Sequence, residues 1–409
     1  MARKLFYNMR IKADNGEVRL SFFKSTPLFS SKLESDRTPV IRIYRKEEPA
    51  FTFNDDYEEY FDGLNAQDAE MIFEGTMDAY NDRKYTYVDQ HVSFGANYAY
   101  WVSSDRGDAP VGPAAVRVRN PKIWWPHEET ERRMEQLALA HPGSVALKSF
   151  GRTIRGRDIH GLVIGNADNC AAFIGLVHPG ESGPELIIPA VERILQNDGE
   201  LLKHAGLAIL PAVSIDQRER LVQGHPGYLR TNYNGVDLNR NFPGEWEVEY
   251  TYGLVTSDPD GITYRGAGPG SEPETQAMMA FLEQTKPRCV LSFHYLASLC
   301  GPCFLTTRFA KEDITFKERC LSYVTAYTRG FYGTGDIPVQ LHFACSAGSM
   351  TSWLYREKGI PGFDLESDSD RINLARNDLT TIELLDEYTD RHYGGMVELL
   401  QLLGKAGVH

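Results

Sequence analysis

The stretch Ala171-Ala172-Phe173-Ile174-Gly175-Leu176-Val177-His178-Pro179-Gly180-Glu181 is an unbroken apolar run that stops at a histidine, with a carboxylate three positions later. A short apolar run without polar alternation reads as a strand buried on both faces. Pro179 and Gly180 favour a turn directly after it. Residues 207–213, 289–293 and 362–365 repeat this grammar, with helical spacing between several of them. Upstream, a helical stretch at 128–140 leads into strands at 145–150 and 159–164. Apolar strands alternating with helices predict an α/β fold, a mostly parallel mixed sheet flanked by helices. Such sheets bind ligands beyond the carboxyl ends of their strands, where His178 falls. The last segment, 379–402, has helical spacing through Ile382, Leu385, Val397 and Leu400, with an interruption at Gly394-Gly395, and is expected to cover one face of the sheet.

Before Pro121 the pattern is different. Residues 85–88, 97–102 and 114–118 alternate with a period of two and are separated by turn residues at 93–95 and 105–112, which reads as a β-meander ending a sandwich. Val18, Leu20 and Phe22 alternate in the same way, as do Ile41 and Ile43 around Arg42. An all-β sandwich is therefore expected over residues 1–121, followed by a second domain over 122–409. The acidic segment 55–62 reads as a solvated loop.

At 409 residues the chain is too long for one ordinary core, and 42% hydrophobic against 24% charged residues is the balance of a folded globular protein. Lys plus Arg total 43 against 56 for Asp plus Glu, a net charge of -13, so no nucleic-acid partner is expected. No window holds the roughly 18 apolar residues of a membrane helix, and residues 1–22 carry charges throughout, so no membrane partner and a cytoplasmic location are expected, or a secreted one if a leader was removed. Six cysteines occur, none before Cys170. Reduced thiols fit that usage, and the pair Cys300-x-x-Cys303, lacking a second pair, reads as structural.

Three clusters can carry chemistry. His178 and Glu181 leave one strand end together, and Cys289-Val290-Leu291-Ser292-Phe293-His294 is a second apolar strand that ends on a histidine. Two His and one Glu would leave the fourth position of a zinc ion open for water, the arrangement of a hydrolytic site. The loop Gly235-Val236-Asp237-Leu238-Asn239-Arg240-Asn241-Phe242-Pro243 follows Gly227-Tyr228-Leu229-Arg230. Arg240 can grip a carboxylate with Asn239 beside it, Arg230 can face an oxyanion, and Asp237 can take the second ring N–H of a ligating histidine, although a surface salt-bridge loop also fits these residues. In Gly362-Phe363-Asp364-Leu365-Glu366, alternation puts Asp364 and Glu366 on one face, where a glutamate near a zinc-bound water would act as general base.

From about Glu128 onward the chain resembles the zinc metallocarboxypeptidases of the carboxypeptidase A type. The resemblance runs in order through Ser149 to Ile159, His178-Pro179-Gly180-Glu181, Leu210-Pro211-Ala212-Val213, Gly235 to Pro243, Ser271-Glu272-Pro273-Glu274-Thr275, His294 and Glu366. It implies that His178, Glu181 and His294 bind one zinc ion (Zn2+) and that Glu366 is the general base and acid. By the same resemblance Arg230 stabilises the oxyanion, Asn239 and Arg240 hold the terminal carboxylate of a peptide substrate, and Asp237 orients His178. The N-terminal strands, with Tyr87-Val88-Asp89 followed by Gly95, Tyr98 and Tyr100, resemble the end of a fibronectin type III domain, placed to narrow access to the site.

Where the family has a substrate-binding tyrosine, this chain has Ala344, with Phe343 and His342 beside it, so His342 is a candidate for that role. Thr351 falls near the specificity pocket and is small and neutral. Ser214-Ile215-Asp216-Gln217 replaces the usual turn, and the His-Pro-Gly-Glu wording resembles cytosolic and some bacterial members, which keeps deglutamylase-like or cell-wall-peptide activity in view. Two other readings are a zinc amidohydrolase of the aspartoacylase or desuccinylase type acting on N-acyl amino acids, and a catalytically inactive peptide-binding protein.

Overall fold

The computed structural model describes residues 5–24, 38–48, 52–53, 59–60, 64–81, 83–181, 183–248, 255–294, 302–334, 337–367 and 382–406. It divides into two compact units, Met1–Trp124 with Arg220–Gly227, and Trp125–Glu219 with Tyr228–His409.

The strands of the first unit are β1 (Phe6–Asp14), β2 (Glu17–Lys24), β3 (Ile41–Glu48), β4 (Thr52–Phe53), β5 (Glu59–Tyr60), β6 (Glu70–Gly75), β7 (Lys84–Asp89), β8 (Asn97–Ser104) and β9 (Val111–Arg117). Two larger antiparallel sheets form, ordered β1-β2-β7 and β6-β3-β8-β9, and β4 pairs with β5 in a third. Val18, Leu20 and Phe22, on one face of β2, are buried with Phe6 and Tyr85 from its neighbours and with Ile41, Tyr100 and Val116 of the other sheet, in one core. The expected meander is not formed: β7 pairs with β2, whereas β8 and β9 pair in the other sheet. Residues 90–96 are longer than a tight hairpin and carry the chain from one sheet to the other. Asp89, buried at the end of β7, holds the crossing by accepting from Arg45 of β3 and Tyr100 of β8, each at 2.9 Å. The acidic segment 55–62 lies outside the described residues except for β5, a strand where a loop was expected. Cys300 is also outside them, and the five described cysteines are free and buried.

In chain order the other elements are α1 (His127–Ala140), β10 (Val145–Arg152), β11 (Asp158–Gly165), β12 (Cys170–Ile174), α2 (Pro184–Asn197), β13 (Gly206–Leu210), α3 (Ile215–Val222), α4 (Pro273–Thr285), β14 (Cys289–Phe293), β15 (Pro302–Thr307), α5 (Ile314–Tyr332), β16 (Gln340–Cys345), α6 (Met350–Trp353), β17 (Gly362–Ser367) and α7 (Ile382–Ala406). Eight strands form one mixed sheet, β10-β11-β13-β12-β14-β17-β15-β16. The apolar runs are its centre: every residue of β12, β13 and β14 is buried, and β12 pairs in parallel with β13 on one side and β14 on the other. The chain thus turns to opposite sides of β12, which opens a crevice at the carboxyl ends of these strands. Sequence patterning did not single out β15 and β16. The latter alternates exposed and half-buried residues at the sheet edge and lacks an apolar run.

The C-terminal helix is not interrupted at Gly394-Gly395, because those glycines serve packing. Gly394 of α7 meets Gly330 of α5 so closely that a Cβ at Gly330 would lie 2.0 Å from the Gly394 carbonyl oxygen. Among the described residues no helix is long and apolar enough to cross a membrane. Gly330→Ala should therefore force the two helices apart and lower stability by about 1–3 kcal/mol, seen as a lower denaturant midpoint; an unchanged midpoint would show that the contact is not constraining.

Candidate metal centre

The strand β12 ends at Ile174, and His178 stands four residues further on, not at the strand end itself. The intervening chain is forced close to its neighbours: a Cβ at Gly175 would lie 2.4 Å from the Pro211 carbonyl oxygen, and Leu176 takes φ 50°. Ser214 then fixes the approach by donating from Oγ to the Val177 carbonyl at 2.7 Å. The His-Pro-Gly-Glu turn is held by Arg218, fully buried, which donates to the carbonyls of Pro179 (3.3 Å) and Glu181 (3.1 Å) and pairs with Glu185. Gly180 gives its N–H to Leu229 at 3.0 Å and leaves room for Tyr228, whose ring would be 2.3 Å from a Cβ there. The hydroxyl of Tyr228 donates to Glu181 Oε1 at 3.1 Å. His294 follows β14 directly and its N–H pairs with the Leu365 carbonyl of β17.

These supports bring His178, Glu181 and His294, all buried, to one point, with one ligand atom from each within 4.8 Å of the others. His178 Nδ1 is 2.8 Å from Glu181 Oε1, His294 Nδ1 is 3.1 Å from Glu181 Oε2, and the two Nδ1 atoms are 3.2 Å apart. The far nitrogens are backed by acceptors: His178 Nε2 by Asp237 Oδ1 at 3.0 Å, and His294 Nε2 by Ser292 Oγ at 3.0 Å with Asp364 Oδ1 at 3.4 Å. With the ring protons on both Nε2 atoms, two nitrogen lone pairs and a carboxylate face each other in a buried space. Glu181 Oε2 makes no hydrogen bond there. Three such acceptors repel unless a cation joins them, and two imidazole nitrogens with one carboxylate are a donor set that suits zinc. The electrostatics agree with a site that needs positive charge. Burial raises the Glu181 carboxyl, and only positive charge at the adjoining His178 and His294 rings outweighs it and brings it down to about 2.

Asp237 caps the short turn Leu238–Arg240, accepting from the Asn239 N–H at 3.0 Å while its Oδ2 accepts from Arg230 Nε at 2.8 Å. One carboxylate therefore aims both His178 and Arg230. Asn239 is buried and its amide is engaged, donating to Asp364 Oδ2 at 2.9 Å and accepting from the Met350 N–H at 3.1 Å. Arg240 is half-buried and donates from Nη1 to the Asn239 carbonyl at 2.9 Å. The Ser271 to Thr275 phrase anchors this loop: Glu272 accepts from Asn232 and Asn234, each at 2.9 Å, and Glu274 accepts from Asn232 at 3.2 Å. Glu366 lies on β17, half-buried, where burial pushes its carboxyl up to about 8, with Glu181 and Asp364 adding to the rise and His294 and Arg230 opposing it.

His342 is not brought to the cluster: it is exposed on the edge strand β16, paired in the ladder with Leu305. Thr351 is buried at the start of α6, 3.0 Å from Ser349 Oγ. Tyr228, Ser292 and Arg218 were not distinguished by motif. For Asp364 a signal existed, its shared face with Glu366, but not its neighbours His294 and Asn239.

The profile of the family described as "Zinc carboxypeptidase", peptidase M14, matches residues 130–383, well over half of the chain. Murein peptide amidase A of Escherichia coli K12 is 46% identical over 70 residues, covering 16% of this chain and 29% of that protein, so less than a third of that relative's length is matched. Human carboxypeptidase O is 28% identical over 282 residues, covering 62% of this chain and 72% of its own length. Bovine thrombin-activatable fibrinolysis inhibitor, solved with tick carboxypeptidase inhibitor, shares the fold at TM-score 0.57 and 18% identity, over 70% of this chain and 100% of that chain. The purified protein is expected to carry about one zinc per chain, and His294→Ala to lose it while staying folded; elemental analysis with circular dichroism checks both, and a full complement of zinc in the variant would exclude His294 as a ligand.

Proposed function

Since the chain belongs to the zinc carboxypeptidase family, we propose that it hydrolyses the C-terminal peptide or isopeptide bond of a peptide with a free terminal carboxylate, at one zinc ion held by His178, Glu181 and His294. The observation that carries this reading is the convergence of three inward-facing ligand atoms whose two imidazoles are backed by buried acceptors. Zinc bound there supplies a Lewis acid for the scissile carbonyl and makes water more acidic.

The chain's own residues supply the rest. Glu366 takes the proton of the attacking water and passes it to the leaving nitrogen. Its position in a partly buried site, with its pKa raised, suits it to hold that proton between the two steps. Arg230, steadied by Asp237, presents its guanidinium to the oxygen that becomes negative. Arg240 grips the terminal carboxylate and so selects chain ends. Thr351 lines the pocket for the terminal side chain.

Two finer points belong to the same reading. The 46% identity to murein peptide amidase A over 70 residues favours a short cell-wall-type peptide as substrate. The N-terminal unit, residues 1–121 as proposed boundaries, is read as fibronectin III-like. Two antiparallel sheets of three and four strands around one core support this, as does Tyr98 near the start of β8, whose hydroxyl accepts from the Ser93 N–H at 3.1 Å.

Peptides incubated with the enzyme, with and without chelator, should be shortened only from the carboxyl end and only without chelator, as read by mass spectrometry. Turnover confined to N-acyl amino acids would replace the peptidase reading with that of an amidohydrolase. Glu366→Gln should keep zinc and lose about 2 to 4 orders of magnitude in kcat. Because the base must be deprotonated, kcat/KM of the native enzyme should fall as the pH drops through the Glu366 pKa, and that acid limb should vanish in the variant.

A further inference from the structure

We propose that Tyr228 is a positioning residue for the ligand carboxylate: its hydroxyl holds Glu181 Oε1 and so leaves Oε2 alone to bind the ion, which keeps one position at the ion open for water. The proposal rests on the zinc reading of His178, Glu181 and His294.

The two oxygens of Glu181 are not equivalent. Oε1 accepts from the Tyr228 hydroxyl at 3.1 Å, while Oε2 is buried and accepts no hydrogen bond. Each also faces one ligand nitrogen, Oε1 the Nδ1 of His178 at 2.8 Å and Oε2 the Nδ1 of His294 at 3.1 Å, so distance alone does not choose between them. An oxygen that accepts from an O–H has part of its charge taken up by that bond, and the bare oxygen is then the stronger ligand. Two imidazoles and one carboxylate oxygen make three ligands and leave the fourth position of a tetrahedral ion free. Were both oxygens to bind, that position would be filled.

The chain is arranged to put the hydroxyl there. Gly180 does not take a left-handed φ, so no turn geometry demands glycine at this point. What excludes a side chain is the Tyr228 ring: a Cβ on Gly180 would lie 2.3 Å from its Cδ2 and 2.4 Å from its Cε2. The backbone on the far side of Tyr228 is pinned as well. Gly180 donates its N–H to the Leu229 carbonyl at 3.0 Å, and Arg230 is tied by Nε and Nη2 to Asp237 Oδ2, each at 2.8 Å. With its backbone held and its ring seated over Gly180, the phenol reaches Glu181 at little further cost in freedom. Tyr228 is half-buried and Glu181 is buried, so water competes poorly for the accepting oxygen.

The test is Tyr228→Phe, which keeps the ring beside Gly180 and removes only the hydroxyl. Metal content, the visible spectrum of the cobalt-substituted protein and steady-state kinetics are measured on the full chain. Native protein must first bind about one zinc; if it binds none, the zinc reading itself fails before this proposal is reached. Given that, Tyr228→Phe should still bind about one metal ion, and its cobalt bands should weaken as a second carboxylate oxygen raises the coordination number. Its kcat should fall about 10–100-fold with KM unchanged. The spectrum decides even if no peptide is turned over, so failure of the peptidase reading is told apart from failure here. Cobalt bands identical to native would overturn the proposal. So would a native kcat with a higher KM, the mark of a substrate contact. A Tyr228→Phe protein that folds and binds no metal would also overturn it, because the hydroxyl would then hold the ligand in place and not choose its oxygen. Gly180→Ala, whose Cβ displaces the ring and leaves the hydroxyl in the protein, should weaken the bands in the same way. If Tyr228→Phe does not fold, native bands in Gly180→Ala overturn the proposal.

Discussion

Two imidazole nitrogens and a carboxylate, buried and turned toward each other within 4.8 Å, are the constraint around which the second unit is organised. In the absence of a cation such a cluster is unfavourable, because lone pairs and negative charge repel in a medium that screens them poorly. The surroundings answer this in two ways. Asp237 and Ser292 stand at the far ring nitrogens with Asp364 3.4 Å from the second, an arrangement that favours the ring protons there and the lone pairs inward. Arg230 and Arg240 keep positive charge near the excess of carboxylates, and burial of Arg230 is offset mainly by Asp237, which raises its pKa above the ordinary arginine value.

The sheet explains why these groups meet. His178, His294 and Glu366 follow or end β12, β14 and β17, which are adjacent and parallel, so their carboxyl ends open on one side. The two histidines are far apart in sequence, yet only a strand spacing separates the backbones that carry them. Glycine is required where the chain must pass close to something else, at Gly175 beside Pro211 and at Gly180 beside Tyr228. The fold depends on those contacts as directly as the chemistry depends on the ligands.

What was legible in the sequence follows from the same physics. The runs at β12, β13 and β14 are buried on both faces, so they stand out as apolar text, and a histidine that ends such a run is conspicuous. The period-two strands β2, β3, β7 and β8 were legible for the same reason, though their partners were not, because pairing depends on where residues 90–96 travel. Gly394-Gly395 read as a break because glycine weakens an isolated helix; in place, helix contact with α5 outweighs that weakness. His342 lay at a plausible distance from Glu366 in the text, but β15 stands between β16 and β17 and holds it at the sheet edge. Asn239 stands beside Arg240 in the text, and no spacing rule shows that its amide meets Met350 and Asp364.

The buried pair Arg218–Glu185 shows how far this organisation extends from the ligands. A buried ion pair gains little net stability, since desolvation of both charges opposes their attraction. Its value here is geometric. Arg218 turns Nη1 to the carbonyls of Pro179 and Glu181, and Glu185 accepts from the Trp125 N–H at 3.1 Å. The backbone that carries Glu181 is thereby tied to α2 and α3 at fixed distances. A neutral pair of the same size would pack as well but would offer no charged donor to hold two carbonyls of a turn whose own closing bond, Glu181 N–H to the His178 carbonyl, is 3.2 Å long. Placement of the Glu181 backbone, more than added stability, accounts for a full charge buried in this unit.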